Sequence, residues 1–204
     1  MSTQPGSTEF YALTFAVAGT WLTGGLALER PHLGWDRSDE HVVGRFVVTP
    51  ILIGTAAFGV FVGAALVARR IPLLNEAISS ILRYPDRGSD PWVLATTLAN
   101  GAAEELFFRG ALFTALRGRN PVLASTVVYV LATSATRNPA LVLASAVMGG
   151  LFAAQRRSSG GIVAPILTHL TWSALMLRYL PPLFPNPRSG VPLETLRAEL
   201  QPSG

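Results

Sequence analysis

The sequence predicts an all-α fold, a polytopic transmembrane bundle of about six helices with one short interfacial helix. Three observations predict it. Half of the 204 residues are hydrophobic and 14% are charged, against about a quarter charged in an average soluble domain. All sixteen basic residues are Arg, with no Lys, and they punctuate long uncharged runs instead of recurring within them. Proline or glycine stands at or near the start of the later apolar runs, as helix boundaries require.

The first two runs are long enough to cross roughly 30 Å of hydrocarbon, which takes about 20 apolar residues. Residues 10–28 carry no charge and stop at Glu29, Arg30 and Pro31. No Lys or Arg precedes them, so the positive flank of a cleavable signal peptide is missing and this span is expected to stay in the mature protein. Residues 46–68 are also uncharged and stop at Arg69, Arg70 and Pro72. Residues 71–82 are short and amphipathic, which reads as a helix lying at the membrane surface. The run from Pro91 to Leu116 is apolar except for Glu104, Glu105 and Arg109 near its middle. Three more follow at 121–136, 139–154 and 161–180, separated by Arg117, Arg119, Arg137, Arg156 and Arg157. The chain thus divides into an N-terminal pair of spans with the interfacial segment (1–90), a four-helix core (91–180) and a polar Pro-rich tail (181–204), in which residues 192–200 suggest a small surface helix.

Composition also excludes function classes. A net charge of +4 could suit nucleic acid, but binders of that class gather their cations on one face or stripe, and here they separate apolar segments. Membrane lipid is the expected surrounding. Without cysteine there is no disulfide framework, thiolate metal site or Cys nucleophile. Gly59 and Gly63 in the second span, and Ser145 with Gly149 and Ala146 with Gly150 in the fifth, have the small-xxx-small spacing of closely packed membrane helices. They are expected to pack within the chain, and Gly59 with Gly63 also offers a homodimer contact. No long-period repeat supports a transporter built from inverted halves. The Arg residues divide almost evenly between alternate loops, so the positive-inside rule does not orient the bundle.

The charges inside the third span carry the functional reading. An ionised side chain at the centre of a span costs about 2.5 to 3.5 kcal/mol on insertion scales, so these groups need partners. Glu105 and Arg109 are four apart, about 40° around a helix, and can form an ion pair. Glu104 lies about 140° from Arg109. It must find another helix, a water-filled cavity, a metal or a proton, a position that suits a general base acting on water. The alternative is a buried network that specifies the fold and does no chemistry. His169 sits in the middle of the last span with Thr168, Thr171 and Ser173 near it, and beside a carboxylate it could orient water or donate to an oxyanion. His32 and His41 lie in a polar loop, where a solvated or interfacial role is expected. The metalloprotease helix motif H-E-x-x-H is absent.

The segment Glu104-Glu105-Leu106-Phe107-Phe108-Arg109-Gly110 resembles the E-E-x-x-x-R motif of the CPBP intramembrane proteases, which group CAAX prenyl proteases with bacteriocin-processing membrane proteins. The resemblance runs through most of residues 91–177. Gly149 to Phe152, the turn from Arg156 to Gly161, and Ile162 to His169 look like the family's approach to its third motif, H-x-x-x-N. The upstream Leu33-Gly34-Trp35 is also similar to a family segment. The resemblance implies an intramembrane endopeptidase in which Glu104 is the base for hydrolytic water, His169 stabilises the oxyanion, and Glu105 and Arg109 anchor the site. It also raises zinc as a cofactor and a membrane-associated or lipidated peptide as substrate or partner. It further implies an integral protein of a bacterial cytoplasmic membrane. Two positions depart from the pattern. Thr133 stands where the second motif, F-x-x-x-H, has its His, so the run reads Tyr129-Val130-Leu131-Ala132-Thr133. Ser173 stands where the third motif has Asn. Ser173 can still donate one hydrogen bond, whereas Thr133 supplies neither an imidazole base nor a good zinc ligand. These departures motivate a second reading, an inactive membrane scaffold that binds a partner. A small transporter using Glu104 and Arg109 is a third.

Overall fold

The computed structural model describes residues 8–28, 33, 44–82 and 91–184. The polar loop holding His32, His41 and Gly34-Trp35, and the expected surface helix at 192–200, lie outside the described residues. Helix α1 is Thr8–Leu28, and α2 is Thr49–Ala68, led in by a π-helical turn at Gly44–Val48. Helix α3 is Pro72–Leu82. Helix α4, Pro91–Glu105, continues through the π-helical segment Leu106–Leu112 into α5, Phe113–Ala115. Helices α6, α7 and α8 are Pro121–Ser134, Pro139–Ser159 and Val163–Tyr179, and a 3-10 turn follows at Pro181–Leu183. No strand occurs among the described residues, as the all-α reading expects.

Local chemistry sets the boundaries. Asn138 caps α7 by accepting hydrogen bonds from the N–H groups of Ala140 and Leu141 at 3.0 and 3.1 Å. Pro139 then occupies the first turn, where its missing N–H costs nothing. The same Asn138 amide donates to Ala77 O and Ser80 Oγ, which ties α3 to the start of α7. Gly160, at φ 70°, ends α7 in the left-handed conformation that glycine adopts without strain. Asn120 and Pro121 open α6 in the same manner as Asn138 and Pro139 open α7.

Helix α2 lies along α8, α6 along α7, and α1 against α4 and the π segment, while α4 packs across α8 in the middle. Helices α2 and α8 run parallel. Thr168 meets Pro50 near their starts, and Ala65 packs with Leu180 near their ends, in a cluster that also holds Ile78 and Leu82 of α3. Large apolar side chains face outward around a core that is mainly apolar but encloses a few charges. Leu52, Val60, Val67 and Leu131 are each more than 60% exposed, whereas Glu105 and Arg109 are fully buried.

Helix lengths refine the sequence expectations. Residues 46–68 and 139–159 form helices long and apolar enough to cross a membrane, while Ala12–Ala27 and Pro121–Ser134 are shorter apolar stretches. The fifth run extends five residues beyond the expected Ala154. Arg156 and Arg157, expected in a turn between helices, are instead in the last turn of α7. Arg156 is buried because its Nε donates to the carbonyl of Arg109 at 2.8 Å and its guanidinium lies over the Phe113 ring. The small-residue expectation also divides. A Cβ on Gly149 would sit 3.0 Å from the Tyr129 ring, so that glycine does permit close packing. A Cβ added at Gly59, Gly63 or Gly150 would meet nothing within 4 Å, so they serve no close contact with the described residues. The glycine that α2 uses is Gly54, where a Cβ would come within 2.8 Å of Thr168 O.

Candidate active site

The site forms where α4 crosses α8 and meets α6 and α7. Glu104 and Glu105 end α4, and the wide turn that follows sets Phe107 and Phe108 both against Trp21 of α1, ring centroids 4.9 Å apart in each case. Single π-helical turns inside α-helices are frequent at functional sites. Arg109, in that turn, points inward with no solvent exposure.

The two carboxylates are handled differently. Glu105 Oε1 accepts from Arg109 Nη1 at 3.2 Å and lies 2.9 Å from His169 Nδ1. The expected Glu105–Arg109 contact is therefore present, and the carboxylate nearest His169 is Glu105. Arg109 also donates from Nη2 to Gly149 O at 3.1 Å, and its guanidinium stacks over the Tyr129 ring at 4.5 Å and the Phe152 ring at 5.2 Å. Phe152 stacks on the other member of the group, His169, with centroids 4.7 Å apart and planes 21° from parallel. Arg109, Glu105 and His169 thus form one buried cation–anion–imidazole chain clamped by aromatic faces. A charge taken out of water holds this well only when hydrogen bonds and partners surround it.

Glu104 belongs to a separate arrangement. Asn100 Nδ2, one turn earlier on α4, donates to its Oε1 at 2.7 Å. The Tyr129 hydroxyl of α6 donates to its Oε2 at 2.9 Å. Short bonds from neutral donors to an ionised acceptor are among the stronger hydrogen bonds in proteins. The Asn100 partner was readable at i, i+4 spacing; Tyr129 was not, because nothing in the sequence says which face of α6 meets α4. Thr133 turns away, donating to Tyr129 O of its own helix at 2.9 Å. Ser173 is buried on α8 one turn beyond His169. Thr168, adjacent to His169, donates to Pro50 O and accepts from Gln155 Nε2, which locks the depth of α8 against α2 and α7.

Two acceptors of the group are left without a donor. Asn100 Oδ1 and Glu105 Oε2 are buried without a hydrogen-bond partner, and such orphaned acceptors mark places where a water or a substrate group binds. The Nε2 edge of His169 faces Gly101, where an added Cβ would come to 3.4 Å. For the zinc that the resemblance raises, no group of three His, Cys, Asp or Glu side chains suited to a metal occurs among the described residues, while His169 Nδ1 is held by Glu105 and leaves Nε2 as its free ring nitrogen.

Comparison with known proteins bears on this same core. Residues 88–175 match the family model of type II CAAX prenyl endopeptidases, described as Rce1-like. The interval holds Glu104, Glu105, Arg109, Tyr129, His169 and Ser173, and the match bears out the resemblance to the CPBP proteases. No curated protein and no solved structure matches the chain.

Proposed function

We propose that this protein is a membrane-embedded endopeptidase of the CPBP type. The observation that carries the reading is the buried Arg109–Glu105–His169 chain, with Glu104 next to Glu105 on the same helix and held by Asn100 and Tyr129, within the interval that matches the endopeptidase family. In a soluble protein these charges would face water. Here Glu105 and Arg109 are fully buried while leucines and valines face out, the distribution that a lipid solvent demands.

Glu104 takes a proton from a water molecule as the water oxygen bonds to the scissile carbonyl carbon. The carbonyl π electrons move onto oxygen, giving a tetrahedral oxyanion. His169, with Nδ1 held by Glu105, presents Nε2 from the opposite side of the ring, and in its protonated form that N–H donates to the oxyanion. Collapse breaks the C–N bond, and protonated Glu104 returns its proton to the leaving amine. Arg109 anchors Glu105 and so the ring orientation of His169. Ser173 adds a hydroxyl one turn from His169. A lipidated peptide fits as substrate, since its anchor would partition to the same apolar surface.

The test is release of a tripeptide from a farnesylated C-a-a-X peptide by the reconstituted protein. Glu104→Gln, which keeps the hydrogen-bond geometry but removes the base, is expected to lower turnover at least about 100-fold with the thermal transition unchanged. Equal cleavage by parent and variant sinks the mechanism. One observation favours a second reading, a scaffold that binds a membrane partner without cleaving it. No imidazole from α6 reaches Glu104, since Thr133 is bonded to its own helix. A parent inactive on this peptide, combined with retained binding of it, would select that reading.

A further inference from the structure

Outside the polar core, one cluster of charge has no partner among the described residues. A cavity of about 480 Å³ opens where α5 ends, α6 begins and α7 ends, lined by Phe113, Arg117, Arg119, Asn120, Pro121 and Arg157. The three guanidiniums make no ion pair or hydrogen bond with the described residues. The described acidic residues, Glu9, Glu76, Glu104 and Glu105, do not line the cavity. Arg117, Arg119 and Arg157 are exposed, so solvent screens their mutual repulsion in part, and an anion entering the hollow between them relieves the remainder. The carbonyl ends of α5 and α7 offset a fraction of the charge. The N-terminus of α6, opening at Asn120 and Pro121 on the same cavity wall, adds positive potential back.

The shape narrows the anion. Arginine presents parallel N–H donors that match two oxygens of a phosphate or carboxylate, and Arg117 and Arg119 of the α5–α6 turn with Arg157 of the last turn of α7 suit the two free oxygens of a phosphodiester. The wall is not wholly polar, since the Phe113 ring and Pro121 line it as well. All three helix ends that form it lie at one end of the bundle, which in a membrane stands at headgroup depth. We infer that this cavity is a binding site for a phosphate-bearing ligand, the phosphodiester headgroup of an anionic phospholipid, with Arg117, Arg119 and Arg157 as its ligating residues. The site is separate from the Glu104 group and does not depend on the proteolytic reading.

The probes are phosphatidylglycerol, phosphatidylcholine and inorganic phosphate, each added to the detergent-solubilised full chain, with bound molecules counted by native mass spectrometry. Phosphatidylglycerol is expected to bind in preference to phosphatidylcholine. The Arg119→Gln/Arg157→Gln variant should bind it about tenfold more weakly. Arg69→Gln/Arg70→Gln, which removes two exposed charges just after α2 that do not line the cavity, should bind as the parent does. Displacement of the lipid by millimolar inorganic phosphate would support the phosphate site and assign it to a free anion, and failure to displace assigns it to the lipid. Parent-like binding by Arg119→Gln/Arg157→Gln overturns the inference. So does an equal loss in Arg69→Gln/Arg70→Gln, which would mean diffuse attraction to basic charge and no site.

Discussion

Tyr129 holds Glu104 through the one atom that distinguishes it from phenylalanine. Its ring stacks under Arg109, and its hydroxyl reaches Glu104 Oε2. The F-x-x-x-H motif that the sequence resembles would put Phe at this position and His four residues later, where this chain has Tyr129 and Thr133. The carboxylate is thus held from α6 by a phenol one turn away from where an imidazole would stand. Tyr129→Phe keeps the ring over Arg109 and removes only the hydroxyl. If the protein cleaves peptides as proposed, this variant should lose about tenfold in kcat, on the scale of one charge-assisted hydrogen bond, with KM little changed. Adding Thr133→His to that background should recover most of the loss. Steady-state kinetics on the same farnesylated peptide check both. A Tyr129→Phe variant as active as the parent would show that the hydroxyl contributes nothing to turnover. The identity of the charged residues was legible from the sequence, because an ionised group in an apolar run is conspicuous by its cost. Their pairing was legible only within a helix, at spacing four.

At the scale of elements, the helices declared themselves and their contact faces did not. Proline starts, arginine stops and asparagine caps are local signals, and the observed boundaries of α3 and α8 fall within about two residues of them, as local chemistry allows. Helix α7 ran past its expected end because Arg156 found a carbonyl and an aromatic face inside the protein. That is a tertiary contact, and it reversed the ordinary reading of an arginine as a boundary. Glycine spacing misled in the same way. Gly59 and Gly63 carry the familiar four-residue separation, yet the helix touches α8 through Gly54, on another face. Gly54→Ala forces a Cβ against Thr168 O and Thr171, so it should destabilise the fold by about 1–3 kcal/mol. Gly59→Ala meets nothing and should be neutral or slightly stabilising through reduced backbone freedom. Thermal unfolding of the two variants in the same detergent makes the comparison, and a larger loss from Gly59→Ala would contradict this packing.

Across the whole molecule, the apolar exterior and the few enclosed charges make a membrane the natural solvent, and the helix order then dictates sidedness. If α6, α7 and α8 each cross, the turns at 116–120 and 160–162 share one face. The turns at 69–71 and 135–138 share the other, together with α3, which Asn138 ties to α7. The natural absence of cysteine makes the test clean. Single cysteines at Gly118 and Gly160 should label from one side of sealed vesicles, and those at Arg70 and Arg137 from the opposite side, using an impermeant maleimide. Labelling of Gly118 and Arg137 from the same side would rule out α6 as a span. The sequence by itself determined the helical class, the apolar exterior and the three charges at odds with it, because solvation cost and helix capping act residue by residue along the chain. Only the tertiary structure decided that His169 joins Glu105, that Tyr129 and Asn100 hold Glu104, and that Arg117, Arg119 and Arg157 gather around one cavity. Those are contacts between helix faces, and a helix records in its sequence which residues share a face but not which neighbour that face will meet.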